Sequence, residues 1–270
     1  MIANTNTYVL ITGAGGGIGK ALARTFAEDG YWLILVDNHD GELREIEKEL
    51  RGNFPGVSVI SIYKDLSKNN AAWELYDEIN SSGKIVSILV NSASRGDYGL
   101  FVDNDWEKEL DVIRTNVIAV TELTKLFLKE MIARNEGKIL QVASVASFIP
   151  SPHMAVYSAS KAYLLFLSEA LQHEIKDTDV TLTILFPGAS DWDFFRKAND
   201  WQNVVEQEPK FEHPSVIARK AYVALMQGKK HEIVGTHDEL QDAIHDILPD
   251  SWLCSDLGKL FDEDPRKEIV

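Results

Sequence analysis

Tyr157 and Lys161 stand four residues apart, a spacing that puts two side chains on one face of a helix. A lysine ammonium beside a phenol favours the phenolate and draws its pKa from ~10 toward neutrality. A tyrosine tuned that way can give or take the proton of a substrate hydroxyl while a hydride moves. Of the eight tyrosines, only Tyr157 has a lysine at that distance. Composition alone often produces one such pair, so its meaning rests on its company. Ser144, in Gln141-Val142-Ala143-Ser144, offers a hydroxyl that can hold a substrate oxygen beside Tyr157; the plain alternative is a serine bonded within its own loop. Asn116 interrupts a good helix former in Arg114-Thr115-Asn116-Val117. Asparagine is mildly unfavourable there, which suggests another task for its side chain.

A second cluster lies near the start of the chain. Thr12-Gly13-Ala14-Gly15-Gly16-Gly17-Ile18-Gly19 follows a short apolar run and leads into an amphipathic stretch. Glycines permit positive φ and close backbone approach. A helix start presents unpaired N–H groups and a positive dipole end to an anion. Together they predict a pyrophosphate cradle. The spacing departs from GxGxxG but fits TGxxxGxG through Thr12, Gly13, Gly17 and Gly19, and it lacks the ending of a P-loop. Asp37 follows about 20 residues on, where a carboxylate can accept from adenosine ribose hydroxyls and repel a 2′-phosphate. No Lys or Arg stands among Gly15, Gly16, Asn38 and His39 to offset it. The expected cofactor is therefore NAD(H) in preference to NADP(H).

Such groups need a frame. Strand-like runs occur at 8–12, 32–37, 57–63, 85–91, 137–143 and 180–186, several of them apolar throughout, as in strands covered on both faces. Helix-like stretches fill 18–29, 42–51, 70–81, 106–133, 155–176 and 214–227. The alternation predicts an α/β fold: a Rossmann-like doubly wound parallel sheet in three layers, with helices on both faces. Without an internal repeat or linker, a single domain over 1–270 is expected. Two regions break the rhythm. Residues 189–211 carry Trp192, Phe194, Phe195 and Trp201, and read either as a lid over a ligand or as ordinary packing of the last helices. Residues 236–270 form an acidic extension with one helix expected around 240–248.

A net charge of −15, with 45% hydrophobic and 26% charged residues, describes an ordinary soluble chain and disfavours nucleic acid or an anionic membrane as partner. The one cysteine, Cys254, cannot form an internal disulfide, and the seven histidines show no metal-ligand spacing, so no metal is expected. Residues 1–7 resemble neither a signal nor a transit peptide. The apolar runs are strand length, well short of the ~20 residues of a membrane span. Cytoplasmic residence is the resulting expectation.

In order and company the motifs resemble the short-chain dehydrogenase/reductase family, in its compact single-domain branch. The matching pieces are TGAGGGIG at 12–19, Asp65-Leu66, Asn91-Ser92-Ala93-Ser94, Asn116, Ser144, Tyr-Ser-Ala-Ser-Lys at 157–161 and Pro187-Gly188, spanning 8 to about 190. The resemblance implies that Tyr157 is the general acid/base and that Lys161 lowers its pKa and binds the nicotinamide ribose. It implies that Ser144 orients the substrate and that Asn116 supports a proton relay through water to the lysine. Thr12, Gly13, Gly17, Ile18 and Gly19 would hold the cofactor, Asp65 would contact adenine, and Asn91 would flank the adenosine ribose, with Leu66 and Ala93 beside them. Pro187 and Gly188 would lie near the nicotinamide. Dimers or tetramers through helices 106–133 and 155–176 are also implied. Two positions depart: Asn-Ser-Ala-Ser replaces the usual Asn-Asn-Ala-Gly, and Ser190, Asp191 and Trp192 follow Pro187-Gly188 where a threonine often stands.

The expected function is hydride transfer between NAD(H) and a secondary alcohol or ketone. The alternative is a dinucleotide-binding regulator that has lost turnover, against which the tetrad Asn116, Ser144, Tyr157 and Lys161 counts. A hydrolase built on Ser144 lacks the GxSxG elbow, and epimerases or dehydratases of this family usually carry a larger C-terminal substrate domain. Phe148, His153, Met154, Trp192 and Phe195, with Phe194 and Trp201, are expected to line an aromatic, largely apolar substrate pocket.

Overall fold

Apolar runs without alternation, such as Tyr8-Val9-Leu10-Ile11, are stable only where a strand is covered on both faces. A computed structural model of the chain describes residues 7–188 and 212–235. Within them seven strands form one sheet, in the order β3-β2-β1-β4-β5-β6-β7, and every pairing is parallel. The strands are β1 (Thr7–Thr12), β2 (Trp32–Asp37), β3 (Val59–Tyr63), β4 (Ile85–Asn91), β5 (Gly137–Val142), β6 (Val180–Pro187) and β7 (His231–Val234). The helices are α1 (Gly17–Glu28), α2 (Asp40–Asn53), α3 (Ala71–Ser81), α4 (Trp106–Ile113), α5 (Val120–Arg134), α6 (Ala155–Glu174) and α7 (Pro214–Met226).

The strands divide the core in two. Leu10, Ile34 and Leu89 pack with Leu75, Leu123, Phe127 and Leu164 from α3, α5 and α6. Val9, Ile11, Leu33 and Leu35 face the other way, against Leu22, Phe26, Ile46 and Leu225 from α1, α2 and α7. Successive side chains of one strand thus serve opposite layers, and the expected three-layer doubly wound sheet is present.

Two local outcomes differ from the expectation. The stretch 106–134 is interrupted by a π-helical turn at Arg114–Ala119, joining α4 to α5 and holding Asn116. β7 was not anticipated: four residues, two of them His231 and Glu232, leave little apolar signal. Gln172 helps bind that edge, its amide donating to Leu182 O and Lys230 O at 3.0 Å each. The lid region 189–211 and the acidic extension 236–270, with its expected helix, lie outside the described residues.

β1 is followed by neighbours on either side, β2 and then β4, so the chain reverses its direction across the sheet there. Crevices for ligands open beyond the strand ends at such a switch.

Candidate active site

A cleft of about 910 Å³ runs over the C-terminal ends of the strands. It is lined by the glycine turn after β1, by Asp37 at the end of β2, by Asp65 and Leu66 beyond β3 and by Ser92–Arg95 beyond β4. Ser144, Tyr157, Lys161, Pro187 and Gly188 line it on the β5–β6 side.

At two positions the turn has no room for a side chain. Gly13 has φ +68°, and a Cβ on it would lie 2.7 Å from the Ala93 backbone; one on Gly19 would lie 2.0 Å from the Gly13 carbonyl oxygen. Gly16 N donates to Gly13 O at 3.1 Å, and Ala14 N to Val36 O at 3.1 Å, closing the loop on β2. α1 then begins without a side-chain cap and without an acid in its first turn. Its leading N–H groups and dipole suit an anion. Thr12 is buried and does not line the cleft. Its Oγ1 donates to Val90 O (3.3 Å) and accepts from Ser92 N and Ala93 N (3.1 Å each), pinning the loop after β4 against the turn.

Asp37 is buried, its Oδ2 accepting from Gly15 N and its Oδ1 from His39 N, both at 2.9 Å. The carboxylate therefore braces the glycine turn, with acceptor capacity left for ribose hydroxyls. Burial pushes the Asp65 carboxyl up. The hydrogen bonds from Ser67 and the charges of Arg95 and Lys68 outweigh it and hold the group below its ordinary value. Arg95 was not anticipated. It stands far from the β2 loop in sequence, yet Asn38, whose amide is assigned from its partners, accepts from Arg95 Nη2 at 2.7 Å. The absence of a cation near residues 38–39 holds only locally in sequence. Asn91 does not itself line the cleft; its amide donates to Thr124 Oγ1 (3.0 Å) and Gln141 Oε1 (3.1 Å). The side chain follows the strand's alternation into the layer of α5.

At the other end, Tyr157 and Lys161 share a side of α6, with Nζ 5.7 Å from the ring centroid. Ser144 begins a 3-10 turn (Val145–Ser147), its Oγ accepting from Ala146 N at 3.1 Å. It also hydrogen-bonds Tyr157. Burial pushes the Tyr157 phenol up to about 12, against the opposing pull of the Ser144 bond. Burial draws Lys161 down to about 7, while its Nζ donates to Val142 O at 3.0 Å. The lysine was expected to bring the phenol toward neutrality. The structure reverses that, because desolvation disfavours both charged forms at once.

Asn116 does not line the cleft. Its Oδ1 accepts from Arg95 N (2.9 Å), and its Nδ2 donates to Arg95 O (2.8 Å) and Ser160 Oγ (3.0 Å). Both side-chain N–H donors are engaged, so the amide ties the β4 loop to α6.

Of the expected substrate residues, Met154 lines the cleft. Phe148 does not: it packs on Phe186 with centroids 4.8 Å apart, carried toward the core as the 3-10 turn ends. His153 is exposed and stacks on Tyr98 at 5.3 Å. Trp192, Phe194, Phe195 and Trp201 lie outside the described residues. Tyr98, Ser151 and Pro152 line the cleft unforeseen, since glycine and proline neighbours mark them only as loop. Among the described residues no group of His, Cys, Asp or Glu suits a metal, and no helix is long and apolar enough to cross a membrane.

A family model described as short chain dehydrogenase matches residues 7–203. The chain is 34% identical over 183 residues to YvrD of Bacillus subtilis (strain 168), an uncharacterized oxidoreductase, covering 67% of each. It is 30% identical over 189 residues to the very-long-chain 3-oxoacyl-CoA reductase of Rattus norvegicus, covering 67% of this chain and 58% of that one, so the match spans little more than half the reductase. A solved short-chain dehydrogenase from Sphingobium yanoikuyae, in complex with NADPH, superposes with a TM-score of 0.78 at 27% identity, over 90% of this chain and 96% of that one.

Proposed function

The chain belongs to the short-chain dehydrogenase family, and on that premise we propose that it moves a hydride between NAD(H) and a secondary alcohol or ketone, with Tyr157 as its general acid/base. The observation that carries this reading is one continuous cleft. It joins a turn closed to a Cβ at Gly13 and Gly19, and an uncapped helix start, to a buried phenol bonded to a serine hydroxyl. These residues fit a dinucleotide: α1's first N–H groups would take the pyrophosphate, and Asp37 the adenosine ribose. The bound cofactor supplies the hydride acceptor or donor of its nicotinamide ring.

Ser144 and Tyr157 bracket the place for a substrate oxygen. In reduction the Tyr157 hydroxyl donates its proton to that oxygen, and in oxidation the Tyr157 phenolate accepts one. Lys161, near neutral in pKa and one turn along α6, is suited to restoring the tyrosine's proton. Asn116 fixes the loop after β4 relative to α6, which suits a part in the proton relay that the resemblance implies. Preference for NAD(H) rests on Asp37, with Arg95's charge countered by Asp65 and Asp111. Ile118, Tyr163 and Phe166 are exposed on the π-helical turn and α6, which supports pairing of chains through these long helices.

The test is oxidation of a panel of secondary alcohols, sugars and steroids with NAD, wild type beside Tyr157→Phe. Turnover by the wild type alone is expected; equal turnover of one compound by both proteins defeats the mechanism. A regulator without turnover would bind NADH yet oxidise or reduce nothing.

A further inference from the structure

Two loops meet at the Tyr157 end of the cleft, and both carry apolar side chains that the fold leaves in water. The loop after β4 brings Tyr98 into the cleft lining, and the loop before α6 brings Ser151, Pro152 and Met154. A few residues along the chain from these positions stand Leu100, Phe101 and Val102 on the first loop and Ile149 on the second. They are 56%, 63%, 85% and 43% exposed. Scattered apolar side chains are normal on a surface. A group of them beside a cleft, on two loops bonded to each other, is a patch of the kind that marks a binding surface.

The bonding is specific. Gly99 N donates to His153 O at 2.9 Å, and Tyr98 stacks on His153 with centroids 5.3 Å apart. His153 holds a left-handed backbone there, φ +65°, which is uncommon in a residue with a side chain and recurs where ligands are clamped. The turn under the apolar residues is fixed as well. Asp103 N and Asn104 N both donate to Leu100 O, at 2.9 and 3.0 Å, and Asn104 Nδ2 reaches Glu109 Oε1 on α4 at 3.3 Å. The patch is thus formed in advance, and an occupant has little to order.

We propose that these two loops are the outer part of the substrate site, and that they receive an uncharged, elongated apolar group of the ketone or alcohol whose oxygen sits between Ser144 and Tyr157. Continuity with the cleft favours substrate as the occupant, since each loop passes from residues that line the cleft to apolar residues outside it. Charge narrows the class. Residues 96–107 hold four acids, Asp97, Asp103, Asp105 and Glu107, and no base. Lys108, the next base, lines the cleft on the face of α4 that carries Asp111. Acids around the apolar side chains repel a carboxylate or an anionic lipid surface and leave an uncharged chain unopposed. The inference deepens the hydride-transfer reading and rests on it.

The experiment measures kcat/KM with NADH for 2-butanone, 2-decanone and 9-oxodecanoate. The proteins are the wild type, Phe101→Ser with Val102→Ser, and Phe101→Leu with Val102→Ile. The wild type is expected to prefer 2-decanone to 2-butanone by at least about tenfold, since each methylene covered on one side gains about twofold. The gain should lie in KM, because the tail is held alike in the ground and transition states. 9-Oxodecanoate has the same length with a charged end, and is expected to lose most of that preference. In the serine variant the ratio of 2-decanone to 2-butanone should fall within about threefold, and the conservative variant should keep it. The ratio is insensitive to a general loss of structure, which lowers both ketones alike. Equal use of the two ketones by the wild type, or preference for the oxo acid, overturns the inference and leaves hydride transfer standing. So does a serine variant that keeps the wild-type ratio; fewer subunits by light scattering in that variant would assign the patch to a second copy of the chain. A wild type that reduces none of the three overturns both readings.

Discussion

The two ends of the cleft are built by opposite means. At the β2–β3 end, backbone N–H groups and an arginine hold the carboxylates in place: Gly15 N and His39 N on Asp37, and Ser67 and Arg95 on Asp65. At the β5–β6 end, burial moves both titratable groups toward their neutral forms, the phenol up to about 12 and the amine down to about 7. One end is organised to recognise a fixed charge pattern. The other keeps protons close to the point of exchange, where small changes of environment shift them most.

Removing a group from the reactive end should leave the recognising end untouched. Tyr157→Phe is expected to lower kcat by about 10²–10⁴-fold, the usual worth of a positioned acid/base. Its NADH affinity should stay within about twofold of wild type in a fluorescence titration, since one lost hydroxyl contact costs little binding. The converse change is Gly19→Ala, whose new Cβ would meet the Gly13 carbonyl at 2.0 Å. NADH affinity should drop by at least about tenfold, because backbone and not a flexible side chain has to move. If Tyr157→Phe weakened binding as much as Gly19→Ala, the division between the ends would be lost.

Asp37→Ser tests the recognising end more finely. The ratio of NADH to NADPH affinity should fall by about tenfold as the repulsion of a 2′-phosphate disappears. A ratio that does not move would assign Asp37 to bracing the turn alone. The smallest effect concerns stability. The Lys161 amine releases its proton near pH 7 in the folded chain and near 10.5 unfolded. Between those values the unfolded chain binds more protons, so this group makes stability rise with pH. Tyr157 acts oppositely above pH 10, where the folded phenol keeps its proton up to about 12. Lys161→Met should therefore raise the melting temperature near pH 6 by about 2–4 °C, the shift that roughly 1 kcal/mol gives a chain of this size, with the gain fading toward pH 10. A gain independent of pH would point to packing instead.

Regular elements were largely legible because local pattern decides them. Continuous apolar strands and helical periodicity predict six of the strands within about two residues, and the glycine turn declares itself by composition. What escaped depends on long-range contact. β7 is short and polar, held by Gln172 and by pairing with β6. Arg95 reaches Asn38 only because β4 and β2 flank β1. Asn91 and Asn116 fit the sequence motifs, but the protein groups that their amide nitrogens tie together could not be read from spacing. Phe148 reads as pocket by its type and is taken by the core through its direction. The direction of the pKa shifts at Tyr157 and Lys161 also lies beyond sequence, since spacing conveys the charge pair but not how deeply it is buried.

The most direct measurement follows a label rather than a rate. NADH carrying deuterium at both C4 positions of the nicotinamide is mixed with a ketone that the wild type reduces, and the alcohol is analysed for deuterium on its carbinol carbon. The account predicts label on that carbon with the wild type and almost none with Tyr157→Phe, although that variant binds the cofactor equally well. Alcohol formed without label, or labelled alcohol formed equally fast by the variant, would contradict it.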